Sequence, residues 1–141
     1  MLPSQSTAIR SVWEKVHSPT GLPFPSTVAA LRSLGVTRYR VDYVASSVTA
    51  YIGSFADVAP MPEHDSNEES FKPGTVTWDV AKLIQAIRKA QAGEGNYWDF
   101  SRCAVEAGVT DYSTYIEGKK VVYNGKDGES HTEWFPDAKQ D

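Results

Sequence analysis

The feature that most constrains this chain is a short motif that occurs twice. Gly35-Val36-Thr37-Arg38-Tyr39 returns 73 positions later as Gly108-Val109-Thr110-Asp111-Tyr112. Each copy follows an amphipathic stretch that would stop at its glycine, and each opens a run of alternating residues. Under the same offset Phe24 meets Tyr97, and Ser26, read as a helix N-cap, meets Asp99, read the same way. Past the strands the match shifts by one residue, so that Tyr51 answers Tyr123. A shared order of cap, helix, glycine stop, strand, turn and strand points to internal duplication. One helical stripe and one hairpin are too little to bury alone, so two such units should pack together. The expected fold is α+β: duplicated helix-plus-β-hairpin units with an antiparallel sheet, pseudo-two-fold related, plus an N-terminal helix.

The periodicity predicts helices over 6–17, where Ile9, Val12, Trp13 and Val16 share a face, and from Ser26 to a stop at Gly35. A third helix from near Thr77 carries Val80, Leu83, Ile84 and Ile87, and a fourth from Asp99 carries Phe100, Cys103, Ala104 and Ala107. Strands are expected at 37–44, 48–52, 111–116, 119–123 and 129–135, the last after the turn signal Asn124-Gly125-Lys126-Asp127-Gly128. The reading is one domain, 1–141, with repeat one at about 24–52, an acidic connection at 53–76, and a helix plus repeat two at about 77–136. The connection, with Pro60, Pro62 and Pro73 and no usable period, reads as a disordered or solvated link or as a lid over a site.

With 141 residues, 40% of them apolar, the chain can bury a core without staples. One cysteine, Cys103, allows no intrachain disulfide and suits a reducing compartment, the cytoplasm by default. No apolar run reaches the ~18–20 residues of a membrane span, and Met1 to Ser6 lack the basic start and apolar core of a signal peptide. The net charge of −4 is concentrated in the connection, leaving no basic footprint for nucleic acid.

From Gln91 the order Gln-Ala-Gly-Glu-Gly-Asn-Tyr-Trp-Asp-Phe is followed by Ala107-Gly108-Val109-Thr110-Asp111-Tyr112, then by 118–125 and by Gly128-Glu129-Ser130-His131-Thr132-Glu133-Trp134-Phe135-Pro136. With the stretch from Phe24 through Tyr51, this resembles a family of small bacterial and phage proteins known as domain of unknown function 1398, whose members often carry the label "phage envelope protein". The resemblance spans most of the chain. It implies an α+β fold and no settled activity. A third strand after Tyr51, which the resemblance leads one to expect, is replaced on this reading by the acidic, proline-containing segment.

Candidate chemistry centres on His131 and Glu133, which two-residue spacing on a strand puts on one face. A histidine beside a carboxylate can move a proton, the carboxylate fixing its tautomer. The plainer reading is a solvated face with an ion pair, Ser130, Thr132 and Trp134 facing inward; Trp134 and Phe135 argue in opposite directions. Asp42 is a further candidate proton partner, although Arg38 and Arg40 beside it would readily pair with it. Tyr39, Tyr112, Tyr123 and Trp134 are candidate ligand contacts, the tyrosines otherwise serving as sheet packing. Cys103 reads as an inert thiol on an apolar helix face, and His17 as a cation favoured by a helix C-terminus. Glu63-His64-Asp65 lack metal-site spacing, and no phosphate-cradling loop or nucleophile elbow is present. No metal and no cofactor is expected.

Two readings of function follow. One is binding of a small organic ligand or partner in a pocket between the two repeats, with a homodimer, no nucleic acid and no membrane as the expectation for partners. The other is a cofactor-independent acid/base enzyme, an isomerase, cyclase or dehydratase acting on an organic metabolite through His131 and Glu133. Whether the chain is an enzyme stays open at this point.

Overall fold

The computed structural model describes residues 3–61 and 71–138. The elements run α1 (Pro3–Val16), α2 (Phe24–Ser33), β1 (Arg38–Asp42), β2 (Ser47–Ile52), β3 (Phe55–Pro60), α3 (Val80–Gln91), α4 (Tyr97–Glu106), β4 (Val109–Tyr115), β5 (Lys120–Gly125) and β6 (Ser130–Trp134). The class is α+β, and the order is two helices and three strands, given twice. All six strands form one antiparallel sheet in the order β3-β2-β1-β4-β5-β6.

Helix α1 forms as its stripe requires, with Ile9, Val12, Trp13 and Val16 all buried. Helix α2 begins earlier than expected. Pro23 precedes it, Pro25 occupies its first turn, and Ser26 lies inside the helix instead of capping it. At α4 the cap is Asn96, whose side chain accepts from the Asp99 backbone N–H while Asp99 accepts from the Asn96 N–H. Asp99 is thus the third residue of a capping box, not the cap itself. Asp79 caps α3 by accepting from the Lys82 N–H.

The main correction concerns the segment after Tyr51. The expectation of a structureless connection from 53 onward fails because β3 pairs with β2 from Ser47↔Pro60 to Ile52↔Phe55. Pro60 fits because it ends an edge strand, where no ladder donor is needed. The sequence Glu63-His64-Asp65 lies outside the described residues.

The core lies between the sheet and the helices. On the helix-covered face β1 contributes Tyr39 and Val41, β2 Val48 and Ala50, β4 Tyr112 and Thr114, and β5 Val121 and Tyr123, all buried. At the centre, β1 and β4 run antiparallel with Arg40 directly opposite Ser113, which are 73 positions apart. Among the described residues, Ser46 and Lys119, also 73 apart, are the non-glycine residues with left-handed backbone, at φ 54° and 56°. Tyr39 pairs with Ala50 as Tyr112 pairs with Tyr123, so in the ladders Tyr123 takes the place that Ala50 has, and not that of Tyr51. A one-residue shift of the opposite sense follows β2 and β5: Met61 N–H bonds Ser46 O, and Phe135 N–H bonds Lys119 O, with Met61 and Phe135 74 positions apart.

Each half fastens its first helix to its own edge strand by an arginine and a carboxylate. Arg10 of α1 lies 3.9 Å from Asp57 on β3, and Arg88 of α3 lies 2.6 Å from Glu133 on β6.

Candidate functional site

Alternation along β5 turns Val121 and Tyr123 toward the helices. Strand β6 pairs so that His131 stands opposite Tyr123 and Glu133 opposite Val121. Both therefore share the helix-covered face, while Ser130, Thr132 and Trp134 are exposed on the other, the reverse of the plainer reading above. The His131 ring lies over Tyr123 with centroids 6.5 Å apart and planes 25° from parallel.

Helix α3 completes the cluster. Arg88 donates to Glu133 Oε1 at 2.6 Å and to Gln91 Oε1 at 2.9 Å, and Gln91 reaches Glu133 at 3.5 Å. The other carboxylate oxygen of Glu133 stands 3.4 Å from His131 Nε2. Burial pushes the Glu133 carboxyl up, but hydrogen bonds from Arg88 and His131 outweigh it and hold the group below the usual carboxylate range. Glu133 is an anion at neutral pH. A carboxylate can only accept, so this contact is a hydrogen bond when His131 carries a proton on Nε2, the form that leaves Nδ1 facing away from Glu133. His131 and Glu133 side chains are 21% and 18% exposed, so the pair is reached from solvent yet not free in it.

Deeper in the same face lies a group of hydroxyls. The Tyr97 and Tyr112 hydroxyls share a hydrogen bond of 2.7 Å, and Tyr43 donates to Ser101 Oγ at 3.2 Å. Ser101 is fully buried. Burial pushes the hydroxyls of Tyr39, Tyr43, Tyr97, Tyr112 and Tyr123 above the usual tyrosine range, and the negative charge of Glu133 adds to this at Tyr123. Phe100 of α4 packs on both Tyr112 and Tyr123.

The candidate residues thus divide between two faces. His131, Glu133, Tyr112, Tyr123 and Tyr39 are on the helix side, Tyr39 packed edge-on against Trp13 at 5.2 Å. Trp134 lies on the far face under Lys120. Asp42 also lies there: it accepts from the Val44 and Ala45 N–H groups and pairs with Arg40 at 3.5 Å. Cys103 is only half-buried. His17 departs from its expected role. It is buried beside Tyr97 and Trp98, and burial pushes its pKa down, outweighing the hydrogen bond to Trp13 O that raises it.

Arg88 and Ser101 carry no signal of a site in the sequence, and Gln91 and Tyr97 stand there only in the repeat and the family stretch. Arg88 follows Ile87 at the end of an amphipathic helix, where a base reads as a solvated partner of the helix dipole. A separate open groove of about 560 Å³ is lined by residues such as Trp78, Val80, Lys82 and Glu106 and contains none of the His131 cluster. Among the described residues no three His, Cys, Asp or Glu side chains converge as metal ligands would, and no helix is long and apolar enough to cross a membrane.

Residues 10–133 match the family described as "Protein of unknown function (DUF1398)". The chain belongs to that family. No curated protein matches the chain. The family description carries no activity, so function rests on the chemistry of this DUF1398 member's own residues.

Proposed function

We propose that this protein binds a small organic molecule at the outer edge of its second half, where His131 is the group that shares a proton or hydrogen bond with the ligand. One observation carries the reading: Arg88 holds Glu133 at 2.6 Å, and Glu133 in turn holds His131 over the ring of Tyr123. A surface ion pair needs no aromatic floor and no second donor; a site that must present one imidazole nitrogen in one tautomer uses both. The two halves are read as copies on the recurring offset of 73, and only the second has this cluster. In the first, Asp57 stands at the position of His131, opposite Ala50. Between the halves, His17 packs on Tyr97 and Tyr43 on Tyr112, which favours the edge over the seam as the place of binding.

A second reading, acid/base catalysis by the same residues, is favoured by the carboxylate of Glu133 beside His131 Nε2. His131 Nδ1 would take the proton, Glu133 would steady the imidazolium, and Arg88 would keep Glu133 ionised. The chain remains compatible with a cytoplasmic home, and no nucleic acid or membrane enters either reading.

The test is an NMR screen of small carbonyl, hydroxy and carboxylic compounds, with the His131 signals assigned through His131→Gln. A hit should shift His131 and Tyr123 together and lose affinity in His131→Gln. A hit that is also converted, with turnover lost in the same variant, establishes the catalytic reading. Hits that bind the variant as well as the native chain, or a screen that moves only the Trp78 groove, would rule out His131 as the site.

A further inference from the structure

The face of the sheet turned away from the helices has its charges sorted by row. Across the strands, one row reads Ala56, Tyr51, Arg38, Tyr115, Lys120 and Trp134. The row at the opposite end reads Pro60, Ser47, Asp42, Asp111, Asn124 and Ser130. The first holds bases and no acids, the second acids and no bases. Both cations of the first row lie flat on rings: Arg38 is 3.7 Å from the Tyr51 centroid and Lys120 is 5.1 Å from that of Trp134. Flattened cations leave a low surface, the kind a second sheet can approach to ~10 Å. Val58 and Trp134, on the two edge strands of this face, are 58% and 37% exposed.

We infer that this open face is the contact surface for a second copy of the same chain. The copies would be related by a two-fold axis lying across the strands, through the middle row that contains Arg40 and Ser113. That rotation lays the cationic row of each copy on the acidic row of the other. Arg38 then faces Asp42 of the second copy, and Lys120 comes within one strand's width of its Asp111. The same contacts occur twice, as an isologous interface demands. The alternative axis, along the strands, sets Asp42 against Asp111 and is disfavoured by like charge. Arg40 does not oppose the arrangement. It leans onto its own acidic row, 3.5 Å from Asp42 and 3.3 Å from Asp111, so the two copies of Arg40 turn away from each other. The face measures roughly 24 Å by 14 Å from strand spacing and rise, about 340 Å² per copy and so below the ~1,000 Å² total of a stable interface, and a weak, transient dimer is expected.

The experiment is sedimentation equilibrium on the full chain from about 5 to about 500 µM. The native chain should dimerise reversibly, and the dimer should weaken severalfold as salt rises from about 50 to about 500 mM. R38E/K120E should be monomeric because its acidic row would face another acidic row. D42K/D111K should be monomeric for the converse reason. An equimolar mixture of the two variants should recover the dimer, since each then meets opposite charge in both halves of the interface. Asp42 and Asp111 also bond within their own chain, so concentration-dependent NMR shifts of the native protein provide a second measurement. They should map to Arg38, Tyr115, Lys120 and Trp134. A native chain that is monomeric at the highest concentration overturns the inference, whether or not the face captures another partner, a labelled oligonucleotide included. A dimer indifferent to R38E/K120E overturns it as well.

Discussion

The hydroxyls of Tyr97 and Tyr112 meet at 2.7 Å and join helix α4 to the central strand β4 in the interior of the protein. Tyr97→Phe strands the Tyr112 hydroxyl and should lower stability by about 1–2 kcal/mol, whereas after Tyr112→Phe the Tyr97 hydroxyl keeps Tyr43 and Ser101 and the loss should be about 1 kcal/mol. The double variant should lose less than the sum of the two, because the second change removes the stranded group. Urea denaturation of the three variants reads both effects. Strict additivity would mean that the two hydroxyls are not coupled.

Alkaline titration should divide the seven tyrosines. Burial holds five of them, Tyr39, Tyr43, Tyr97, Tyr112 and Tyr123, in the protonated form past the ordinary value of 10.0. Their raised folded values favour the native state fully below that pH, and the contribution is lost as pH rises toward the folded values. Phenolate absorbance should therefore account for no more than two tyrosines before unfolding. The rest should ionise together with loss of the near-ultraviolet dichroism. Five gradual ionisations in a folded protein would contradict the buried cluster.

His17 gives a pH dependence on the acid side. Its folded pKa is pushed below the ordinary 6.5, so below that pH the unfolded chain takes up a proton that the folded chain refuses. Stability should be unaffected by His17 above 6.5 and should fall as pH drops from there through the folded value. In His17→Gln, the urea midpoint should change less over the same interval. Glu133 acts lower down: its depressed folded value means that its contribution is lost only as pH falls below the ordinary 4.5 and through the folded value. An unchanged slope in His17→Gln would place the acid sensitivity elsewhere.

Gly108 allows a test of close backbone packing. Its φ is +96°, and a β-carbon there would stand 2.6 Å from Trp78 Cα and 2.9 Å from Thr77 O. Gly128 has a similar φ of +86° with open space around it. Gly128→Ala should cost about 1 kcal/mol from backbone strain alone, and Gly108→Ala about 3 kcal/mol or more because main chain must move. Thermal melts compare the two directly; equal losses would show that the Trp78 segment yields.

Removal of Arg88 should be felt at His131, although the two are joined only through Glu133. Arg88→Ala frees one carboxylate oxygen, and ligand affinity or turnover at His131 should fall about threefold to tenfold, with Arg88→Lys recovering part of it. A variant that lowers thermal stability but leaves the His131 signals and affinity unchanged would reduce Arg88 to a helix-to-sheet tie.

Much of the architecture was legible where one physical rule acted alone. The stripe Ile9, Val12, Trp13 and Val16 could form only one kind of helix face, and Tyr39 with Val41 only one kind of strand face. Strand β3 was hidden because its polarity is inverted. Asp57 is buried, where it accepts from Ser6 Oγ at 2.7 Å, while Val58 is 58% exposed. Alternation of hydrophobicity therefore points the wrong way through β3. At α4 the capping box makes Asn96 and Asp99, three residues apart, each look like a cap, and only the hydrogen bonds tell them apart. His131 and Glu133 could be paired from spacing, but Arg88 arrives from 45 residues away in the sequence. No local pattern announces such a contact.

The two helix–helix–strand–strand–strand halves meet in the sheet along a single ladder, β1 against β4. Among the described residues, all other strand pairing is completed within one half. A chain severed between β3 and α3 would therefore yield two fragments, each keeping its own helix pair and three-stranded meander. Their exposed central strands would be templates for each other, and for themselves. Mixed, such fragments should reassemble into a nicked native fold; kept apart, each should be prone to pairing with its own kind.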